Sequence, residues 1–531
     1  MRWRPWLLAV LLAASGPATQ AQAQPPPESR TTLRFVPVGD LRVLDPIWTS
    51  AAITLNHAQM IYDVLVTSDS QLRPRLQMAE SFDLSADGLR ATFVLRPGLL
   101  FHDGSPVRSR DVAASIARWG QRVTAGQAIM THLERMETPD DRTLVMVFHH
   151  RFGPLLEALG SPLLAPFVMR EQDARTSAFE QVRTAVGSGP FTFVEEAFRP
   201  GDRALYRRFA GYKPRDEPAD GYAGGRVARV DEVEWRYLPD PATASQALQT
   251  GEVDFLESVP SDLVPLLRKA PGVVVEVINT QGSIGTIRPN AAHPPFDDPR
   301  ARQALLLIAD QAEFGHALTS EPGLAQSCLA LFVCGTPYAT QKATEPWVRP
   351  DIRRAKALLA EAGYDGRPLV LLDPADQPDI HLLAQVFADQ LRRAGIPTDV
   401  QTMDWGTVIT RRNTRESPAS NKAGWDLAFT FWGGISLASP LTNTPLVSSC
   451  DGKNLYGWPC DPALERLRAD FLEAKDAASR MAIVDALQQR YFEVVPYVNT
   501  GIVQRPVAYR TTLHDVLKTP YPVFWNLSKR R

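Results

Sequence analysis

Residues 369–403 read LVLLDPADQPDIHLLAQVFADQLRRAGIPTDVQTM, and this stretch decides the fold class. Leu369 to Leu372 is a short, fully apolar run that suits a buried strand. Ile380, Leu383, Phe387, Leu391 and Ala394 then recur at helical spacing, and Gly395 closes the helix where a left-handed residue is wanted. Thr398 to Met403 follows as a second strand and Asp426 to Phe431 as another. Strand, helix, strand is the pattern of a parallel pair joined by a crossover, which places the chain in the α/β class with helices covering the sheet.

Outward from that segment the signals stay local and regular. Asp351 opens a helix with Ile352, Ala355, Leu358, Leu359 and Ala362 on one face, ended by Gly363, and Asp298 caps another with Pro299 at its first position. Leu33 to Val38, Thr92 to Leu95, Thr143 to Phe148, Val233 to Leu238, Val273 to Ile278 and Gly282 to Arg288 read as strands. Ser109 is placed to cap a helix with Val112, Ile116 and Trp119 inward.

With 531 residues, 44% hydrophobic and 22% charged, the chain is of ordinary globular composition and long enough for several domains. Its formal net charge of -2 argues against a nucleic-acid partner. The N-terminus reads as a secretory signal over residues 1–23: Arg2 and Arg4, the uncharged run Trp6 to Ala14, and a small-x-small cleavage site at Ala21-Gln22-Ala23. That run is too short to span a bilayer, and the expectation is an exported, soluble protein. A Pro-rich linker, residues 24–31, follows. The four cysteines, Cys328, Cys334, Cys450 and Cys460, all lie in the exported part. Of the three possible pairings, the simplest is local, Cys328 with Cys334 and Cys450 with Cys460; neither spacing is that of a CxxC metal site.

Catalytic signatures are missing: there is no GxSxG, HExxH, Walker A or GxGxxG motif. His149-His150 reads as a pair of exposed strand-end residues, Gly187-Ser188-Gly189-Pro190 as a tight turn, and His102-Asp103-Gly104 as a turn between strand and helix.

Several landmarks, taken in order, resemble one known family. Ala79-Glu80-Ser81-Phe82 precedes Ser85-Ala86-Asp87-Gly88-Leu89, then Thr92-Phe93-Val94-Leu95-Arg96-Pro97-Gly98 and Phe101-His102-Asp103-Gly104-Ser105-Pro106-Val107. Gly187-Ser188-Gly189-Pro190-Phe191, Ala247-Leu248-Gln249-Thr250-Gly251-Glu252-Val253-Asp254, Pro294-Pro295-Phe296-Asp297-Asp298 and Ala355-Lys356-Ala357-Leu358-Leu359 follow. Together they resemble the family 5 extracellular solute-binding proteins of ABC importers, the class C dipeptide- and oligopeptide-binding type. The resemblance implies an α/β, periplasmic-binding-protein-like fold of two lobes with a subdomain inserted in the first. By its landmarks, lobe I spans 31–278 with the insert at about 55–180, lobe II spans 279–497, and 498–531 returns to lobe I, the crossings lying near Asn279 and Tyr497. It also implies a monomer without catalysis or cofactor, whose partners are a peptide or small-molecule ligand and the permease subunits of an importer. The alternative from another class is a secreted hydrolase on a two-lobed scaffold, which needs converging acid, base or nucleophile groups in the cleft.

The resemblance also points to ligand-binding residues. Peptide binders of the family carry, in the loop after a lobe II strand, a Trp and three residues later an Asp that holds the peptide's amino terminus. Here the loop is Trp432-Gly433-Gly434-Ile435-Ser436, with Ile435 where the Asp would stand. Trp405 is a second candidate platform, Arg288 a candidate partner for a carboxylate or phosphate, and Ser50, in Trp48-Thr49-Ser50, lies in the stretch that edges the ligand. The expectation is a small organic solute lacking a free amino terminus, and anionic if Arg288 faces the cleft.

Overall fold

The computed structural model describes residues 30–530, so the signal segment and most of the linker lie outside the described residues. Strand β1 (Thr32–Val36) opens lobe I. The chain then leaves for the insert. There β2 (Val66–Ser68) and β3 (Pro74–Leu76) form a hairpin, and β4 (Ala79–Leu84), β5 (Arg90–Leu95), β6 (Leu133–Glu137) and β7 (Thr143–Phe148) form an antiparallel sheet ordered β4-β5-β7-β6. It returns through β8 (Phe191–Phe193), β9 (Arg203–Arg208), β10 (Glu232–Arg236), β11 (Phe255–Leu256) and β12 (Val273–Glu276). Lobe II follows, with β13 (Ser283–Pro289), β14 (Ala325–Gln326), β15 (Leu369–Pro374), β16 (Thr398–Met403), β17 (Leu427–Gly433) and β18 (Val498–Val503). Finally β19 (Val507–Arg510) rejoins lobe I.

The sheet of lobe I is seven-stranded, in the order β12-β19-β11-β1-β10-β9-β8, and that of lobe II six-stranded, β14-β18-β13-β17-β15-β16. The segment at 369–403 forms as its sequence dictates: β15 and β16 run parallel, Leu369 opposite Thr398, and the helix Pro378–Arg393 buries Ile380, Leu383, Phe387 and Leu391. Asp298 and Asp351 cap their helices through side chains that accept from Arg300 N–H and Arg354 N–H. In the helix Ser109–Trp119 the cap position is instead Arg108, whose N–H donates to Asp111; Ser109 is the first helical residue and its hydroxyl donates to the carbonyl of Asp140.

Two boundaries differ from the sequence expectation. The first crossing, 277–282, includes Asn279 as expected, but the second is 504–506 and not near Tyr497. The reason is that Val498–Val503 pairs with β13 and adds one more strand to lobe II before the chain leaves. The insert is also narrower than 55–180. Its apolar interior comprises residues from Leu65 to Leu159 together with Val168, whereas Ala58, Met60, Ile61 and the later Ala165, Phe167 and Val182 pack into lobe I. Both local disulfides are present, Cys328–Cys334 and Cys450–Cys460. Among the described residues no helix is long and apolar enough to cross a membrane.

Candidate functional site between the lobes

Strand pairing defines which edges of the two sheets face each other. In lobe I, Glu276 at the end of β12 lies opposite Val507 at the start of β19, so both crossings attach at that edge. The register continues inward: Leu256 pairs with Ala508 and Val36 with Leu256, which puts Glu257 and Pro37 on the same edge. In lobe II, Ser283 is opposite both Gly433 and Val503, so the loop after β17 leaves from the facing edge. The C-terminal ends of the parallel strands β1 and β11 and of β17 thus converge on the interlobe space, where open α/β sheets bind ligands.

A cavity of about 950 Å³, partly open to solvent, lies between the insert and lobe II, beside the loop that follows β17. The insert supplies Leu72, Arg73 and Pro74 from the β2–β3 turn, and Glu157 to Pro162; lobe II supplies Tyr338, the stretch Ile435 to Thr442, and Arg480. The walls are chiefly apolar, with one polar cluster spanning the gap. The Tyr338 hydroxyl donates to Glu157 at 2.5 Å, and Arg480 pairs with the other oxygen of the same carboxylate at 3.2 Å. Burial, reinforced by Glu157, pushes the Tyr338 phenol up, so it stays a donor. Nearby, Gly153 N–H donates to the Leu472 carbonyl at 2.7 Å. A second cavity of about 570 Å³ lies at the hinge, against Ser283, Phe431, Val503 and Arg505; Arg505, on the crossing itself, pairs with Asp379.

Of the residues expected from sequence, Ile435 alone lines the larger cavity; it is 7% exposed. Gly434 makes the loop possible, since its N–H donates to Gly282 at 2.8 Å and an added Cβ would sit 2.1 Å from the Gln281 carbonyl oxygen. Gly433 is exposed at the strand end and Ser436 is half-buried. Trp432 is half-buried on a cluster of Ile284, Cys328, Val333 and Leu437, bracing the loop instead of lining the cavity. Trp405 opens the helix Trp405–Arg411 and packs with Val408, Trp425 and Tyr456, with the Arg412 guanidinium 5.2 Å over its ring. Ser50 is exposed, and its neighbour Trp48 stacks under Arg122 at 5.0 Å.

Arg288 is corrected outright. It is 2% exposed and does not face the cleft: Nε donates to Tyr456 O at 2.9 Å and Nη1 to Pro445 O at 2.5 Å, tying the 445–457 segment to β13. Its burial lowers the guanidinium to about 10. Sequence reasoning missed Leu72, Glu157, Tyr338 and Arg480, for which spacing gives no signal. The turn readings hold: His149 and His150 are exposed past the end of β7, and His102 closes the Gly187–Pro190 turn, with Nδ1 accepting from Gly187 N–H at 3.1 Å.

Two lobes, a double crossing and a cavity shared between them define a protein that encloses a small solute. The chain belongs to the family 5 bacterial extracellular solute-binding proteins: residues 73–454 match the family described as "Bacterial extracellular solute-binding proteins, family 5 Middle". It is 37% identical over 494 residues, 92% of either chain, to the "Probable peptide ABC transporter periplasmic-binding protein y4tO" of Sinorhizobium fredii. It is 25% identical over 474 residues, covering 86% of this chain and 85% of the other, to the glutathione-binding protein GsiB of Pectobacterium atrosepticum. Among solved structures, the substrate-binding protein CtaP of Listeria monocytogenes superposes with a TM-score of 0.78 at 19% identity, covering 94% of this chain and 99% of that one. The agropinic acid complex of AgaA from A. tumefaciens R10 gives 0.72 at 22% identity with the same coverage. The protein is therefore the periplasmic solute-binding component of an ABC importer, working with a ligand and permease subunits, and is not an enzyme.

Proposed function

We propose that the solute is small and peptide-like, and that it lies in the cavity between the Ile435–Thr442 loop and the insert. The observation that carries this is Ile435 in the cavity wall: an apolar side chain cannot hold an ammonium group, so the loop offers hydrophobic contact and backbone groups to the solute. Support comes from the name of the relative at 37% identity, a probable peptide-transport component. The expectation of an anionic solute rested on Arg288 facing the cleft and falls with it, because its Nε and Nη1 serve carbonyls inside lobe II; the expectation of a solute without a free amino terminus is narrowed, since Ile435 denies an ammonium group a partner at this loop only. Contacts to both lobes supply the differential affinity that closes the hinge, and the closed form is what the permease receives.

Export is by the signal segment 1–23, supported by Arg2, Arg4, the apolar run and Ala21-Gln22-Ala23; N-terminal sequencing of the periplasmic protein should begin at Gln24. The ligand reading is tested by calorimetric titration with a panel of dipeptides. At least one should bind with micromolar affinity, and Ile435→Ala should weaken it roughly five- to thirtyfold, the effect of ~1–2 kcal/mol of lost apolar contact. A panel without a binder, or an Ile435→Ala protein that binds as tightly as the parent, would refute it.

A further inference from the structure

Glu257 follows β11 on the edge of lobe I that carries both crossings, and so stands at the hinge end of the interlobe space. Its surroundings are unusual for a half-buried carboxylate. Val38 N–H donates to Oε2 at 2.7 Å and Asn56 Nδ2 donates to Oε1 at 2.6 Å. Both donors are neutral, and among the described residues no Lys, Arg or His forms an ion pair with it. Burial holds its carboxyl above the usual carboxylate range, and no cation offsets that effect. Asn56 is itself fully buried, and with its amide nitrogen on Glu257 its Oδ1 meets no donor. Beside the pair, Val38 leaves an apolar side chain 67% exposed. An acceptor-rich, uncompensated acid next to an exposed apolar contact, at the cleft edge, is the complement of a protonated amine on a short apolar chain.

Building on the reading of a peptide-like solute, we propose that Glu257, held by Asn56 and the Val38 N–H, is a cation-recognising subsite on lobe I, so that the solute carries an ammonium group directed to the hinge and away from Ile435. The loop after β17 would then grip the apolar body while the opposite lobe reads the charge.

The test is calorimetric titration of the dipeptide panel alongside the same dipeptides N-acetylated, with the parent protein and with Glu257→Gln. The expected result is roughly ten- to hundredfold weaker binding on acetylation of the best dipeptide, and a similar loss for the free-amine peptide in Glu257→Gln with little change for the acetylated one. The comparison of free and acetylated peptides on the parent protein needs no variant to fold. Equal affinity for the two series would overturn the subsite while leaving the cavity reading intact. A Glu257→Gln protein that loses both series equally would show that the carboxylate only braces Asn56 and Val38, and would also overturn it. Failure of both series to bind the parent protein would overturn the peptide-like reading and this inference with it.

Discussion

One buried and one half-buried histidine contribute to the acid sensitivity of this protein. His57 is fully buried, sharing a 2.8 Å hydrogen bond with the Tyr206 hydroxyl, and burial lowers it to about 3. His102, against the Gly187–Pro190 turn, is lowered to about 4, chiefly by burial. In the unfolded chain each takes up a proton near the ordinary value of 6.5, which the folded protein refuses. Their contribution to stability is therefore intact above pH 6.5 and drains as pH falls from there toward 3 to 4. Denaturant unfolding should show a loss of about 2 kcal/mol per histidine between pH 7.5 and 5, and His102→Gln should remove its share of that slope. A stability profile flat over this range would contradict the burial of both rings. Arg288 belongs to the same scale. Arg288→Met should destabilise the protein by about 2–4 kcal/mol, because the Pro445 and Tyr456 carbonyls lose a charged donor, and should leave ligand preference unchanged. A changed preference with unchanged stability would return it to the cleft.

At the scale of elements, what was legible in the sequence was local. Asp298, Asp351, Gly363 and Gly395 mark helix ends through interactions within a turn, and the two glycines take positive φ of 75° and 76° as such ends require. The β15–helix–β16 unit follows from periodicity alone. The second crossing was misplaced because nothing in Val498–Val503 tells which sheet the strand joins; that depends on its pairing with β13. The cavity was illegible for the same reason. Its walls come from residues 72–74, 157–162, 337–338, 435–442 and 477–481, brought together only by the fold. Trp432 shows the limit on one residue: it is half-buried because it is paired beside Ile284, above the Cys328–Cys334 bridge, which no spacing within its loop encodes. The second disulfide, Cys450–Cys460, closes a loop of 10 residues next to the segment that Arg288 tethers. Replacing both cysteines by Ser should cost roughly 2–3 kcal/mol in thermal or denaturant unfolding.

For the whole molecule, the contacts that matter span the lobes on the side remote from the crossings. Glu157 with Tyr338 and Arg480, and Gly153 with Leu472, join the insert to lobe II. They join the two sides of the cavity, so they add to the apparent affinity for any solute enclosed there. Glu157→Ala should weaken solute binding about five- to thirtyfold, whatever the solute's charge, and enlarge the ligand-free radius of gyration in small-angle scattering. An unchanged radius and affinity would mean that the cluster is passive.

The crossings themselves run as neighbours from end to end. They leave the adjacent strands β12 and β19, enter the adjacent strands β13 and β18, and are tied by Gln504 donating to the Thr280 carbonyl at 3.2 Å. A ribbon of two bonded chains bends across its flat face far more readily than it shears or unwinds. The gape between the halves is thus left with one easy coordinate, like the cover of a book. Cargoes of different bulk must be fitted by rearranging the lining, because the spine allows only a wider or narrower angle and no change in the spacing of the pages.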